Sequence, residues 1–508
     1  MSEKPQFKKK MPFAPVRTKH TETGRRMTER QKAAYKRQKD AYREAQKEGR
    51  IVKGKASHER LVKINPGKVR ITSLIVGELT RALAVILKLD GPADQLMKAF
   101  FKSNPKLGSR DRSILAEAIF YALRHLASIT YRMKPIAPAR APKVAALLTL
   151  ILQYGEDAVP DSILGSDKGP LDNMLSAPME KAAPEVAAEM PFWLYDRIEK
   201  QYGPKESQEI FKASQEGAPL DLRVNILKAK REDVLKELED HGVKGEETPF
   251  SPDGIRLVDK PGLIRWPMYQ EGRIDVQDEG SQLVARLIGA KRGEMVCDFC
   301  AGAGGKTLAI GSAMRSTGHL YAFDVNEKRL AGLTPRMRRA GLTNVHPMAI
   351  RNEKDLRVKR LRGKFDRVLV DAPCTGTGTL RRNPDLRWRL NVKELERINA
   401  LQKSILEEAA KLVKAGGRLV YATCSLLEEE NQAVVRDFLS RHPEFEALCA
   451  TDVLAKQGIS LPDWVRDRFG NDLVMLPNLT DTDGFFGAVL QKKVPAKAPA
   501  PENLNWAQ

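Results

Sequence analysis

The chain of 508 residues is 42% hydrophobic, enough to bury several cores, and the usual domain size suggests about three domains. Its formal charge is +21, from 86 basic and 65 acidic residues, which favours a polyanionic partner, nucleic acid first. Five scattered cysteines argue against a disulfide framework, no apolar run approaches the roughly 20 residues of a membrane span, and no signal-peptide stretch opens the chain, so a soluble cytoplasmic protein is expected.

The charge is uneven: residues 1–60 hold 19 Lys or Arg against 7 Asp or Glu, a net +12. Residues 1–66 carry too few apolar side chains to offset the entropy of ordering, and predict a basic disordered tail, either a solubilising segment or an RNA-binding arm. From Val69 onward, SLIVGELTRALAVILKL and SRDRSILAEAIFYALRHL place apolar residues at helical spacing. They predict an all-α domain over 67–154, with Ser109 capping its second helix. The Pro, Gly and Asp residues of 155–190 predict a linker.

Residues 191–290 predict a small α+β domain of a kind often used as an accessory RNA-binding module. PFWLYDRIEKQYG and ESQEIFKASQEG are helical, the first ended by Gly203. LDLRVNILK is strand-like, REDVLKELEDHG is a helix closed by Gly242, and GIRLV and LIRW are short strands. Over 291–493 strand and helix patterns alternate. Strands are expected at 294–299, 319–324, 345–350, 365–370 and 418–423, with helices at 306–315, 326–340, 392–414 and 428–441. A last pair of strands is expected within 472–493, before a disordered tail at 494–508. This is a doubly wound α/β sheet with a late antiparallel addition.

In such a sheet ligands bind outside the carboxyl ends of the strands. FDRVLVDAPC therefore delivers a carboxylate, Asp371, and a thiol, Cys374, to the edge where chemistry is done. LVYATCS puts a second thiol, Cys424, at the end of the next strand. After the first strand, DFCAGAGGKT makes a glycine turn into a helix. It fails as a phosphate-binding P-loop because Cys300 stands where a glycine is required, and as a dinucleotide loop because Thr307 does. What remains is a nucleoside-type site with Asp324 suited to a ribose, and S-adenosylmethionine fits it. Cys297 and Cys300 have no second Cys or His pair to complete a zinc site, so no metal is expected.

DFCAGAGGKT, FDRVLVDAPCTGTGTLRRNPDLRW and LVYATCS resemble the motifs of the RsmB/NOP/Sun-type RNA cytosine-5 methyltransferases, as do VQDEGSQLVARL and DGFFGAVL. The 67–154 region is similar to the NusB-like domain of the ribosomal RNA branch. The resemblance implies a Rossmann-like class I methyltransferase sheet that makes 5-methylcytosine in RNA, ribosomal RNA in the first place. It implies Cys424 as the nucleophile on carbon-6, Cys374 as the residue assisting product release, Asp371 on the N3/N4 edge of the base, and Lys306 holding or polarising it. It implies a cofactor site of Cys300, Ala301, Gly302, Ala303, Gly304, Gly305, Lys306, Asp324, Asn352 and Asp371, with Asp298 shaping the loop. Asn352 stands in for the acid that usually follows the third strand. RRNPDLRW offers arginines and an aromatic for phosphate contact and base stacking, or serves as a structural loop. A monomer acting on RNA is expected. Alternatives are a non-catalytic RNA-binding or ribosome-assembly factor on the same scaffold, or the same chemistry on transfer RNA.

Overall fold

The structure is a computed structural model that describes residues 69, 71–259 and 261–495; the basic segment 1–66 lies outside the described residues, as does the C-terminal segment from 496. The first described unit is all-α. Its main helices are α1 (Ser73–Ile86), α2 (Ala93–Ser103), α3 (Ser109–Arg124), α4 (Leu126–Arg132) and α5 (Pro142–Tyr154). Their apolar faces close on one core through Leu79, Leu83, Leu115, Ile119 and Leu147. Thr72 Oγ1 caps α1 by accepting from Ile75 N at 3.4 Å. Ser109, expected as the cap of α3, is instead its first helical residue. The Gly108 carbonyl already accepts from Arg112 N at 3.0 Å, so the helix begins one residue early and has no side-chain cap.

Residues 155–190, expected as a linker, fold as short helical turns, among them Asp161–Leu164, Lys168–Leu175 and Pro184–Ala187. Val159, Leu164 and Leu171 bury into the same core as α1 and α5. The Pro and Gly residues that read as linker punctuation bound short helices here, with Pro184 at a first helical position, where its missing N–H costs nothing.

The second unit begins with α6 (Phe192–Ser214), which breaks at Gly203 (φ 78°) just before Pro204. Then come β1 (Leu220–Val224), α7 (Arg231–Asp240), β2 (Gly245–Glu247), β3 (Gly254–Leu257) and β4 (Ile274–Val276), in an antiparallel sheet of order β2-β3-β1-β4. The strand expected at LIRW is a single 3-10 turn, Leu263–Arg265. It lies between Pro261 and Pro267, which lack the N–H groups a ladder needs.

After α8 (Glu279–Leu287) the C-terminal α/β unit is built on β5 (Met295–Asp298), β6 (His319–Asp324), β7 (Val345–Ala349), β8 (Phe365–Asp371), β9 (Val413–Thr423), β10 (Phe445–Leu448), β11 (Leu473–Met475) and β12 (Phe485–Lys492). The order is β10-β12-β9-β8-β5-β6-β7, with β11 also on β12. From β7 to β9 all neighbours are parallel, and β12 adds antiparallel to β9. Val368, Leu369, Val420 and Tyr421 have no exposed surface, as expected for strands covered on both faces. From β5 the chain runs outward through β6 and β7, then returns to the other flank of β5 with β8. That reversal opens a crevice at the carboxyl ends of the strands. The helix expected at 326–340 divides at Gly332 into Glu327–Ala331 and Leu333–Ala340. The one expected at 392–414, α9 (Val392–Ala410), stops early because the chain from Val413 pairs with β8.

Candidate active site

Asp371 is the last residue of β8, and Cys424 directly follows β9. The parallel register pairs Asp371 with Ala422, and Ala372 N donates to Ala422 O at 2.8 Å, so the loops leaving the two strands run side by side. That brings Cys374 Sγ to 3.4 Å from Cys424 Sγ. The hydrogen bond to Cys424, and burial after it, push the Cys374 thiol well above the usual range.

Glu430, which sequence reasoning did not single out, ties the two cysteine loops together. It is fully buried beyond β9, in a short helical turn, Glu428–Glu430. Its Oε1 accepts from Thr375 N at 2.8 Å and from Gln402 Nε2 at 2.9 Å. Its Oε2 accepts from the hydroxyls of Thr375 and Ser425. Each loop thus hangs from the same carboxylate at the residue just after its cysteine. Gln402, on α9, also donates to Pro373 O at 3.0 Å. In the sequence Glu430 ends the run Glu428–Glu429–Glu430, which reads as a solvated helix start. The usable signal was the Thr and Ser after the two cysteines, two hydroxyls that need a common acceptor once buried.

The glycine turn sits at the neighbouring strand end. Gly302 (φ 57°) and Gly304 (φ 85°) both adopt left-handed conformations, and a Cβ on Gly304 would collide with Leu333. Ala301 N donates to Phe323 O at 2.8 Å, and Gly302 N to Asp324 Oδ2 at 2.7 Å, binding the turn to the end of β6. Ala303 is exposed and its carbonyl accepts from Arg336, while Gly305 opens the helix Gly305–Ala313. Cys297 is fully buried in the sheet core; Cys300 packs at the core's edge, where burial raises its thiol well above the ordinary value. Among the described residues no cluster of His, Cys, Asp and Glu could hold a metal ion.

Lys306 Nζ lies 2.8 Å from Asp371 Oδ2 and 5.2 Å from the centre of the Phe485 ring. Burial alone would lower its pKa, but Asp371, with Cys424 and Asp298 behind it, outweighs burial and leaves it raised. Lys306 is therefore a firmly charged ammonium bridging the glycine turn to the cysteine edge. Asn352 is exposed after β7, and its Oδ1 accepts from Lys354 N at 3.0 Å.

RRNPDLRW resolves as structure rather than as a stacking loop. Arg387 is fully buried and donates to Glu189 O at 2.8 Å and Ser214 O at 3.1 Å, while Trp388 Nε1 donates to Leu123 O at 2.6 Å. Both side chains fasten the α/β unit to the other two. Arg382 pairs with Asp278 at 2.9 Å and with Asp483 at 2.6 Å, so it gathers residues from VQDEG and DGFF. Burial, reinforced by Asp278, pushes the Asp483 carboxyl up to about 7.

Residues 285–491 match the family described as 16S rRNA methyltransferase RsmB/F, and residues 190–262 match the ferredoxin-like domain of Methyltr_RsmF/B-like proteins. The probable ribosomal RNA small subunit methyltransferase B of Bacillus subtilis (strain 168) is 31% identical over 449 residues, covering 81% of this chain and 98% of that protein. The chain belongs to the RsmB/F methyltransferase family. The ribosomal RNA small subunit methyltransferase B of Yersinia pseudotuberculosis is 35% identical over 303 residues, or 60% of this chain and 66% of that one. Among solved structures, PH0851 is similar over 84% of this chain and 100% of its own, with a TM-score of 0.69 and 28% identity. The methyltransferase homolog protein from Pyrococcus horikoshii follows over 61% and 100%, with a TM-score of 0.52 and 29% identity.

For this RsmB/F family methyltransferase S-adenosylmethionine is the methyl donor, and the residues at the crevice suit it. Asp298 Oδ2 accepts from Thr307 Oγ1 at 2.7 Å, yet its buried Oδ1 has no partner, and burial pushes this carboxyl up to about 7. Each oxygen of Asp324 is engaged by one backbone amide, Gly302 N or Asn326 N, which leaves lone pairs for hydroxyl donors. Gly302 and Gly304 have no side chains, which lets Arg329 and Leu333 pack against the turn that leads into the helix Gly305–Ala313.

Proposed function

We propose that this methyltransferase modifies carbon-5 of a cytosine in RNA of the small ribosomal subunit, through a transient bond between Cys424 and carbon-6. The 3.4 Å approach of Cys374 and Cys424, beside the Lys306–Asp371 pair, carries the reading. Carbon-5 of cytosine is a weak nucleophile. A thiolate that adds to carbon-6 moves the ring's electron pair onto carbon-5 and turns the base into an enamine. Cys424 is the sulfur that attacks, the role that the resemblance of its Thr-Cys-Ser motif implies.

Asp371, held by Lys306, accepts from the exocyclic amine of the base, the contact by which a carboxylate recognises cytosine. S-adenosylmethionine, held by Gly302, Gly304, Asp324 and Asp298, supplies an electrophilic methyl group when bound. Once carbon-5 is methylated, its proton passes to solvent water, the C–H electrons re-form the 5,6 double bond, and the carbon–sulfur pair leaves on Cys424 as its thiolate. Cys374, on the adjoining loop, assists that release. The base reaches the thiol by leaving its stack. The substrate named for the Bacillus and Yersinia relatives supports ribosomal RNA as the target.

The two cysteines make the test asymmetric. Cys374→Ala should accumulate a covalent protein–RNA adduct visible on a denaturing gel, and Cys424→Ala should form none. Equal adducts from both variants would overturn the assignment. Bisulfite sequencing of ribosomal and transfer RNA, with and without the protein, locates the cytosine.

A further inference from the structure

A cavity of about 510 Å³ lies where the three folded units meet, and no residue of the cysteine edge or the glycine turn lines it. That volume is in the range of small-ligand pockets. One wall is a single face of α3: Ser113, Ala116, Glu117, Phe120, Tyr121 and Arg124 follow one another at spacings of three and one. The opposite face of α3, with Leu115, Ile119 and Leu123, is spent on the helical core. Gly217 and Ala218 form the second wall, and Arg381 with Arg382 the third.

Several polar atoms of the lining residues make no hydrogen bond. Ser113 Oγ, Arg124 Nε, Gln153 Oε1, and Nε and Nη1 of Arg381 are buried and have no hydrogen-bond partner. Buried polar groups are almost always paired, and buried guanidinium groups most of all. Arg381 is only 5% exposed. Its Nη2 donates to Gly217 O at 3.1 Å, and Nη1 lies 2.7 Å from the carboxylate of Asp481, an ion-pair contact that makes no hydrogen bond. Arg124 donates to the Arg381 carbonyl at 3.2 Å, which holds two cations side by side. Of the other charges on the lining, Arg382 is already engaged by Asp278 and Asp483, Glu117 accepts from Tyr154, and Asp259 is exposed. Two arginines beside the rings of Phe120 and Tyr121 are the chemistry of a nucleotide: phosphate on guanidinium, base on aromatic face.

We propose that this cavity is a second RNA subsite, which takes one nucleotide of the substrate away from the reacting cytosine. Its phosphate sits against Arg124 and Arg381, its base against Phe120 and Tyr121, and Ser113 and Gln153 are left to meet the base edge or the 2′-hydroxyl. This rests on RNA being the substrate but not on the cysteine chemistry. Because all three units supply walls, an RNA held here fixes the helical unit relative to the crevice.

The test uses the full chain, a small-subunit ribosomal RNA fragment and no methyl donor, so it reads binding whether or not methylation occurs. Arg124→Gln removes one charge, and Ala116→Trp fills the space from the helix side; calorimetric S-adenosylmethionine binding checks that each variant is folded. Each substitution should weaken RNA binding about tenfold, and Arg124→Gln should also flatten the dependence of log Kd on log salt by about 0.7, the value for one phosphate contact on a single strand. 4-Thiouridine-substituted RNA should cross-link to the peptide containing Phe120 and Tyr121. Wild-type affinity and salt slope in both folded variants would overturn the proposal. So would cytidine 5′-monophosphate alone binding there as tightly as the RNA, which would make the cavity a free-nucleotide site.

Discussion

The cysteine edge and the cavity between the three units both gather polar side chains, yet they differ in how those side chains are engaged. Around Cys374 and Cys424 the hydroxyls of Thr375 and Ser425 and the amide of Gln402 all end on Glu430. None of these atoms is left without a partner. On the residues that line the cavity five buried atoms make no hydrogen bond, although Nη1 of Arg381 has Asp481 beside it. A reaction needs its groups held within a fraction of an ångström before the substrate arrives, so its site completes its own hydrogen bonds. A binding site keeps donors in reserve for its ligand, at a cost in stability borne while it is empty. Rigidity and vacancy are thus two ways of spending the same polar groups.

That contrast can be broken by substitution. The largest effect is expected from Cys424→Ala, which should lower single-turnover methyl transfer by about 10⁴-fold or more while S-adenosylmethionine still binds by calorimetry. Next is Glu430→Gln, which touches no substrate. It disturbs the bonds that hold both cysteine loops and should cut kcat by about 10²-fold. The companion Glu430→Ala, which strands Thr375, Ser425 and Gln402, should cost about 3 kcal/mol in denaturant unfolding. An enzyme indifferent to Glu430→Gln would mean that its hydrogen bonds do not position the sulfurs.

Gly304→Ala forces a side chain into a left-handed residue and against Leu333. It should cost about 1–3 kcal/mol and weaken cofactor binding in the same preparation. The smallest effect concerns pH. Native Asp298 titrates at about 7, against about 3.9 in an unfolded chain. Between those values the native state keeps a proton that the unfolded chain has lost, so this group's contribution to stability falls as pH rises and is gone above about 7. Asp298→Asn should remove that slope and raise Tm at pH 8 by about 2–4 °C relative to the parent.

The sheet was readable because its signals are local. FDRVLVD and LVYAT each hold a short apolar run, Val368–Val370 and Leu419–Ala422, ended by Pro373 or by a polar loop, and the parallel strands of a doubly wound sheet present their carboxyl ends to one side. That logic placed Asp371, Cys374 and Cys424 on one edge without stating which strands are neighbours. Glu430 was hidden because burial is decided by distant partners: Glu428, two residues away in the same acidic run, is paired with the exposed Arg436. The cavity was hidden for a similar reason. Its Arg124 and Arg381 stand 257 positions apart, and periodicity in α3 reports only the face that meets the helical core. Residues 155–190 misled because Pro and Gly mark the ends of very short helices as readily as they mark free chain. Trp388 and Arg387 looked available for RNA, but their partners, Leu123, Glu189 and Ser214, lie in other units and leave no trace in the local sequence.

The place of β12 has a consequence for how this enzyme's site is completed. Although it is the last strand among the described residues, it lies inside the sheet against β9, and just before it Gly484 N donates to Gly378 O at 2.8 Å while Gly378 N donates to Cys424 O at 2.9 Å. A chain that lacks β12 therefore holds DFCAGAGGKT, FDRVLVDAPC and LVYATCS but has a bare flank beside Cys424. Removing the chain from residue 485 onward should therefore abolish methyl transfer rather than weaken it, which an activity assay on the shortened chain would read.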